Sequence, residues 1–156
     1  MGNRIVTLGD PRGIGPDCIL MARHRLGVSF APTVYGFTSI LQQRAAQLGI
    51  PMYDGPLIEP PGIDPVANPG AATLACLEAA VDRLLAGDAA TSLLLTGPIH
   101  KESLHAEGFS FPGHTEYLAH KAGVERVHMV MEGPRMRVLL VTIHEPLKAV
   151  PGLITP

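Results

Sequence analysis

The sequence contains no tryptophan, and only 4% of its 156 residues are aromatic. Proteins that bind single-stranded nucleic acid without sequence preference stack successive bases on aromatic side chains, so this composition argues against such a platform. Charge of neither sign dominates, because the formal net charge is -2 and the isoelectric point is near 6.4. The chain therefore offers no electrostatic reason to expect nucleic acid or an anionic membrane as a partner, and any anion site must be local.

Long apolar runs and cysteines are also scarce. No run approaches the roughly 20 residues that span a bilayer, and the first residues lack the pattern of a secretory signal, so we expect a cytoplasmic protein without a membrane partner. Cys18 and Cys76 are the two cysteines, and both lie in segments with helical patterns. Two are too few for a disulfide framework or a cysteine-rich zinc site, so both are predicted to be small core residues.

The remaining composition is that of one globular domain, with 46% hydrophobic and 17% charged residues. Short β-rich runs alternate with amphipathic segments, which predicts an α/β fold. A turn at Gly133-Pro134 indicates a hairpin, and hence a mixed sheet. The predicted helices begin near Pro16, after a Thr38 or Ser39 cap, after an Asn68 cap and near His114. The predicted strands cover residues 4–8, 32–35, 52–53, 92–95, 126–132 and 136–142, with an irregular proline-rich stretch up to residue 68.

Most of the candidate chemistry lies between Leu93 and Glu116, in the stretch LLLTGPIHKESLHAEGFSFPGHTE. Its leucine run has the pattern of a strand buried on both faces, and Gly97-Pro98 ends that strand. His100 and Lys101 should therefore emerge at the carboxyl end of the strand. Ligands of open α/β sheets bind at that end.

A second turn leads through Gly113 into a predicted helix that begins at His114, Thr115 and Glu116. Unpaired backbone N–H groups at a helix start favour an anion, and the His114 and Thr115 side chains add donors. A phosphate is the expected ligand. The simpler interpretation is that Thr115 merely caps the helix and that His114 is an ordinary surface or core residue.

Two further loops carry candidate residues. The loop GDPRGIGPD, from Gly9 to Asp17, matches neither the dinucleotide fingerprint nor a phosphate-binding P-loop. Asp10 and Arg12 are its exposed polar candidates, although Asp10 could simply bond to its own turn. His144 follows the last predicted strand and precedes Pro146, a rigid position that suits a metal ligand, while an ordinary loop histidine is the alternative.

Four motifs, GDPRGIGPD, LLLTGPIHK, FPGHTEYL and TIHEPL, together resemble the 4-hydroxythreonine-4-phosphate dehydrogenase family of pyridoxal phosphate biosynthesis. The resemblance covers essentially the whole chain but only the amino-terminal part of the family's proteins, and the end at Thr155-Pro156 reads as the opening of a helix. The resemblance thus implies a fold with three α/β/α layers, in which residues 1–156 are the amino-terminal part of a truncated isocitrate/isopropylmalate dehydrogenase-like fold with a carboxy-terminal half absent. The resemblance also implies a homodimer, NAD or NADP, and a divalent metal (zinc, magnesium or cobalt) held by three histidines.

Residue by residue, the resemblance implies that His114 and Thr115 contact the phosphorylated substrate and that His144 is one metal ligand. It also places Lys101 in the active cleft, where Lys101 is the candidate catalytic base. Three positions depart from the family pattern: Asp17 stands where glutamate is usual, Arg12 replaces a commonly small residue, and Pro112 stands where threonine is common. The other two metal histidines have no match in this chain.

Other functions stay open at this point. A related enzyme would act on another phosphorylated hydroxy acid, such as erythronate or threonate 4-phosphate. Alternatively, the 156-residue chain is catalytically silent or a binding scaffold, because one histidine alone holds a divalent ion weakly. A third hypothesis is a hydrolytic metal site built from His100, His105 and His114.

Overall fold

The computed structural model describes residues 4–87, 92–125 and 127–154. The chain divides into two compact units, Met1–Leu118 and Ala119–Pro156. Each unit has its own sheet.

The first unit is built on a four-stranded sheet in which every strand pair is parallel. Its spatial order is β3-β2-β1-β4, so β1 is flanked by β2 and by β4. In register, Ile5 of β1 lies opposite Thr33 on one side and Leu94 on the other. The strands are β1 (Arg4–Thr7), β2 (Thr33–Tyr35), β3 (Leu57–Ile58) and β4 (Leu93–Leu95).

Three helices connect these strands: α1 (Gly15–Leu26), followed by a short 3-10 turn at Gly27–Ser29, α2 (Thr38–Leu48) and α3 (Pro69–Leu85). Two more, α4 (Lys101–Ala106) and α5 (His114–Ala122), follow β4, and the boundary between the two units falls within α5. The chain moves outward from β1 through β2 to β3 and then returns past β1 to β4. Right-handed crossovers in opposite directions place their helices on opposite faces, so α1 and α2 cover one face and α3 the other. The predicted α/β class with helices around a sheet is confirmed.

Two apolar clusters hold this unit together. The larger joins the sheet to α1, α2 and α3, and Leu8, Phe37 and Leu41 are fully buried in it. Cys76 also belongs to it, and burial raises the pKa of its thiol to about 12, so the thiol stays protonated as the core residue that was predicted. The smaller cluster joins α3, α4 and α5 through Leu77, Val81, Leu104, Phe109 and Tyr117.

An ion pair connects α1 to α2. Arg44 Nε donates to Asp17 Oδ1 at 2.7 Å, and Arg44 Nη2 donates to the other carboxylate oxygen. Both side chains are partly buried, and the two-pronged geometry is the stronger form of an arginine–carboxylate pair. Asp17 therefore has a structural partner in the described chain.

The second unit contains an antiparallel hairpin of β5 (Val130–Glu132) and β6 (Arg137–Leu139), followed by the short helix α6 (Val150–Leu153). The predicted hairpin is confirmed, with shorter strands. Its strands form a separate two-stranded sheet, so the predicted mixed sheet is wrong for the described residues. The predicted strand start at Arg126 and the predicted helix opening at Thr155-Pro156 lie outside the described residues.

Several local predictions are corrected. The third strand was predicted at residues 52–53, but it is Leu57–Ile58. Tyr53 is instead a buried core residue whose hydroxyl donates to the Pro32 carbonyl. β4 is an edge strand of the described sheet, so Leu93 and Leu95 are 55% and 51% exposed rather than buried on both faces.

Two predicted helix caps and one predicted core residue also differ. Thr38 is the first residue of α2 rather than its cap, and its backbone N–H and hydroxyl both donate to Glu59. Asn68 does occupy the position before α3, but its side chain makes no capping hydrogen bond. Cys18 is exposed. Among the described helices, none is both long and apolar enough to cross a bilayer.

Candidate functional site

The strand order of the first unit reverses between β1 and β4. The chain leaves β1 toward β2 and β3, whereas β4 adds to the opposite side of β1. Loops at the carboxyl ends of two such strands diverge to opposite faces and leave a crevice, which is where open α/β sheets bind ligands. The loops in question, residues 8–14 after β1 and 96–100 after β4, carry two of the four sequence motifs.

The two loops contact each other through their backbones. Asp10 N donates to Pro98 O at 2.8 Å, and Gly97 N donates to Thr7 O at 3.0 Å. Gly9 has φ +75°, and a Cβ there would lie 2.3 Å from Pro98 O. Glycine is therefore required at this contact, both for the left-handed backbone and for the space.

A pocket of about 330 Å³ lies in this crevice. Three of its lining residues carry polar side chains, and the rest present backbone or apolar surface; the lining is Asp10, Arg12, Gly13, Pro98, Ile99 and His100. Lys101 is exposed and follows directly as the first residue of α4. The structure thus brings the glycine loop and the Gly-Pro-x-His-Lys motif to one edge of the sheet.

Asp10 and Arg12 form a two-pronged ion pair at the wall of the pocket. Arg12 Nε donates to Asp10 Oδ1 at 3.0 Å and Nη2 donates to Oδ2 at 2.8 Å, while Arg12 N also donates to Oδ1. These hydrogen bonds from Arg12 are the main reason that the pKa of Asp10 is lowered. Asp10 is buried rather than exposed as predicted, and it both closes its own turn and holds the arginine.

A hydrogen bond connects this ion pair to Ser103 of α4. Arg12 Nη2 also donates to Ser103 Oγ at 2.8 Å, and Ser103 Oγ lies 2.8 Å from His100 Nδ1. Ser103 N donates to the same ring nitrogen at 3.3 Å. We refer to Asp10, Arg12, Ser103 and His100 as the pocket relay.

The position of Ser103 depends on close packing of α4 against α3. A Cβ on Gly70 would lie 2.5 Å from Ser103 O, so the start of α3 approaches the backbone of α4 directly. Leu104, the next residue, is fully buried in the smaller cluster. Ser103 was not among the residues that the sequence predicted for the site.

His114 begins α5, as predicted, and its ring is half-buried. Its Nε2 atom is buried and makes no hydrogen bond with any described residue. Burial without such a partner disfavours the charged ring, so the pKa of His114 is lowered from the ordinary value of 6.5. Thr115 follows in the first turn and is partly exposed.

This lowered pKa predicts a pH-dependent stability. The unfolded chain binds a proton near pH 6.5, whereas the folded chain resists it, so the stabilising contribution is complete above about pH 6.5 and is lost as pH falls toward the lowered pKa. We expect the urea midpoint of the chain to fall over this range, and His114→Gln to flatten that fall. The change His24→Gln at an exposed position controls for the loss of one imidazole. An unchanged pH slope in His114→Gln would contradict the assignment.

Glu116 modifies the predicted anion site at α5. Its Oε2 atom lies 3.6 Å from the position that a Cβ on Gly113 would occupy, so this carboxylate folds back toward the start of its own helix. A carboxylate there compensates the helix dipole. A phosphate at this helix start would therefore compete with Glu116.

His144 lies in the second unit, after β6. Its backbone has φ +57°, the only positive φ of a non-glycine among the described residues. Residues held in this sparsely populated region carry strain and cluster at functional positions. The observation is compatible with the predicted rigid mounting of this imidazole.

No complete metal centre exists among the described ranges, where no three histidine, cysteine, aspartate or glutamate side chains converge. The hydrolytic site predicted from His100, His105 and His114 is therefore wrong. His100 Nδ1 instead contacts Ser103, and His105 Nδ1 lies 2.6 Å from Phe109 O. Local hydrogen bonds hold both rings.

The reversed strand order, the glycine loop and the polar pocket at the sheet edge define an α/β protein with the crevice at which open α/β sheets bind ligands. A family model described as "Pyridoxal phosphate biosynthetic protein PdxA" matches residues 30–156, and the chain belongs to that family.

Similar proteins agree with this assignment. The chain is 39% identical to a 4-hydroxythreonine-4-phosphate dehydrogenase of Desulfosudis oleivorans, over 96% of this chain and 51% of the relative. It is 37% identical to the Synechocystis protein of that name, over 97% of this chain and 50% of the relative. The crystal structure of the Klebsiella pneumoniae dehydrogenase superposes with a TM-score of 0.82 at 28% identity, covering 97% of this chain and 54% of that one. The chain spans about half the length of the curated relatives it matches.

Proposed function

We propose that the protein containing this chain oxidises 4-phosphohydroxy-L-threonine with NAD or NADP and a divalent metal, zinc, magnesium or cobalt. The product, 2-amino-3-oxo-4-phosphooxybutanoate, decarboxylates to 3-amino-2-oxopropyl phosphate in vitamin B6 biosynthesis. Membership of the family carries the proposal, since the relatives named above are dehydrogenases of this substrate. The proposal includes an isocitrate/isopropylmalate dehydrogenase-like fold, a homodimer and a cytoplasmic location.

In this proposal the first unit binds and orients the substrate. His114 and Thr115 hold the phosphate at the start of α5, where Nε2 of His114 lacks a hydrogen-bond partner among described residues. Such a buried atom gains from a ligand that bonds to it. Phosphate binding displaces the Glu116 carboxylate, so Glu116→Gln should tighten it. Lys101 accepts the proton of the substrate hydroxyl.

His144 is one of three proposed metal ligands. The described residues supply no further pair of ligands around it, so they do not fit a complete metal site. The proposed centre therefore needs ligands beyond those that the structure describes. The positive φ of His144 supports a fixed position for the one imidazole that this chain contributes.

The test is metal-dependent NADH formation from 4-phosphohydroxy-L-threonine by the product of the complete reading frame that contains this chain. We expect turnover by that protein and none by the isolated 156 residues, since a single imidazole holds a divalent ion weakly. His144→Gly relieves the backbone strain but removes the imidazole, so activity should fall by about a hundredfold or more, since loss of a mere outer-shell partner of a metal ligand already costs about 10–100-fold. The change His128→Gly, in the same unit and exposed, should leave activity near wild type.

Turnover by the isolated chain, or an active His144→Gly variant, would contradict this proposal. The same assay with erythronate 4-phosphate and threonate 4-phosphate distinguishes this second candidate substrate class from 4-phosphohydroxy-L-threonine. One observation favours that class: the carboxylate of Asp10, the acidic group that lines the pocket, is already paired with Arg12 and is not free to bind a substrate ammonium group.

A further inference from the structure

The pocket relay fixes the hydrogen-bonding state of His100. Nδ1 of this ring accepts from Ser103 N, and Ser103 Oγ lies 2.8 Å away as a second neighbour of the same atom. Ser103 N–H can only donate, so its bond makes Nδ1 an acceptor, and the Ser103 hydroxyl, which accepts from Arg12 Nη2, directs its own hydrogen to the same ring nitrogen. With Nδ1 accepting two hydrogen bonds, the neutral ring carries its proton on Nε2.

The relay also leaves one arginine nitrogen for a ligand. Nε and Nη2 of Arg12 are used by Asp10 and Ser103, whereas Nη1 makes no hydrogen bond within the described part of the chain. Both Arg12 and His100 line the 330 Å³ pocket. The negative charge of Asp10 is compensated by three hydrogen bonds from Arg12, so it opposes an incoming anion less than a free carboxylate would.

We propose that this pocket binds an oxyanion, the phosphate or carboxylate of a small ligand, through Arg12 Nη1 and the Nε2–H group of His100. Asp10 and Ser103 act as positioning residues. Asp10 fixes the guanidinium plane, and Ser103 holds the imidazole with its donor nitrogen toward the pocket. Its polar groups come from the loops after β1 and β4 and from α4, whereas the phosphate site of the proposed function lies at the start of α5.

Nitrogen NMR of the histidine-labelled chain tests the first step. His100→Gln assigns the His100 signals, which should show a protonated Nε2 and a bare Nδ1 in the neutral ring. Ser103→Ala should shift the tautomer balance toward Nδ1–H, because it removes the hydroxyl donor and leaves only the longer backbone bond. Arg12→Lys keeps the charge but loses the planar fork whose two nitrogens bond to Asp10 and Ser103, so it should shift the balance in the same direction. A dominant Nδ1–H form in the unaltered chain would overturn the relay.

Titration with inorganic phosphate and with acetate tests the ligand. Either anion should shift the His100 Nε2 and Arg12 side-chain signals in a saturable way, and the tighter of the two identifies the chemical class. Arg12→Ala should weaken that binding by about tenfold or more, as expected for the loss of a charge-assisted hydrogen bond. Arg25→Ala removes an exposed arginine at the other end of α1 and should leave the affinity unchanged.

The readouts are separate from catalysis, so the failure of one proposal leaves the other standing. Saturable shifts that persist unweakened in Arg12→Ala would overturn the site. Equal weakening in Arg25→Ala would show a general charge effect and would overturn it as well. Shifts at neither residue with either anion would do the same.

Discussion

Gly9→Ala is expected to destabilise the fold by about 2–4 kcal/mol, by the sum of a left-handed backbone penalty and a steric clash. Gly9 has φ +75°, and the added methyl carbon would lie 2.3 Å from Pro98 O and 2.7 Å from Gly97 C. Both neighbours are backbone atoms, which a side-chain rotation cannot move. The loops after β1 and β4 would have to separate. Urea unfolding of the chain measures the loss.

Gly62→Ala is the matched control. Gly62 has φ +74°, almost the value of Gly9, but a Cβ there would meet no atom within 4 Å. It should therefore cost only the backbone term, about 1–2 kcal/mol. The difference between the two variants isolates the contact between the loops. Equal losses would show that the loops tolerate separation and that their contact does not stabilise the pocket.

Leu104→Ala should cost about 2–5 kcal/mol, the range for truncating a buried leucine. Leu104 is fully buried and packs in the cluster that joins α4 to α3 and α5. α4 has only six residues, so packing rather than intrinsic helix propensity must hold it in place. The truncation should therefore also release Ser103 and His100, which lie on the same short segment.

Urea unfolding and the His100 nitrogen signals measure these two effects together. Leu85→Ala, at a position that is 45% exposed near the end of α3, should cost much less and leave the signals unchanged. If Leu104→Ala lost stability while the tautomer of His100 stayed fixed, α4 would keep its position without this anchor.

Four helices, α1, α2, α3 and α5, and most strands could be predicted because local signals mark their ends, whereas the short helices α4 and α6 were not predicted. Pro16 and Pro69 lie in the first turns of α1 and α3, and Gly49 ends α2 in the left-handed conformation. These signals act within a few residues of the chain. They need no information about distant neighbours.

Strand neighbours could not be predicted in this way. A run such as Leu93–Leu95 favours a strand, but nothing in three leucines says which elements cover their two faces. The third strand was misplaced for a related reason. Prolines argued against Leu57–Ile58, yet that strand is at an edge of the sheet, where proline is tolerated beside it.

The site was predicted in part. The glycine loop and the Gly-Pro-x-His-Lys motif both indicated a ligand site at the carboxyl edge of the sheet, because strand ends and turns can be predicted from the sequence. The bond from Arg12 to Ser103 joins residues 91 positions apart, and Ser103 sits in no recognisable motif. Only the packing of α4 against Gly70 brings that hydroxyl to the arginine.

The backbone contact between the loops after β1 and β4 has a kinetic consequence. The two loops that form the pocket walls are hydrogen-bonded to each other through Asp10 N and Pro98 O without a bound ligand. A ligand thus enters a pocket whose two loop walls are already joined. Association should be a single step governed by diffusion, and residence time should depend on the strength of the contacts alone.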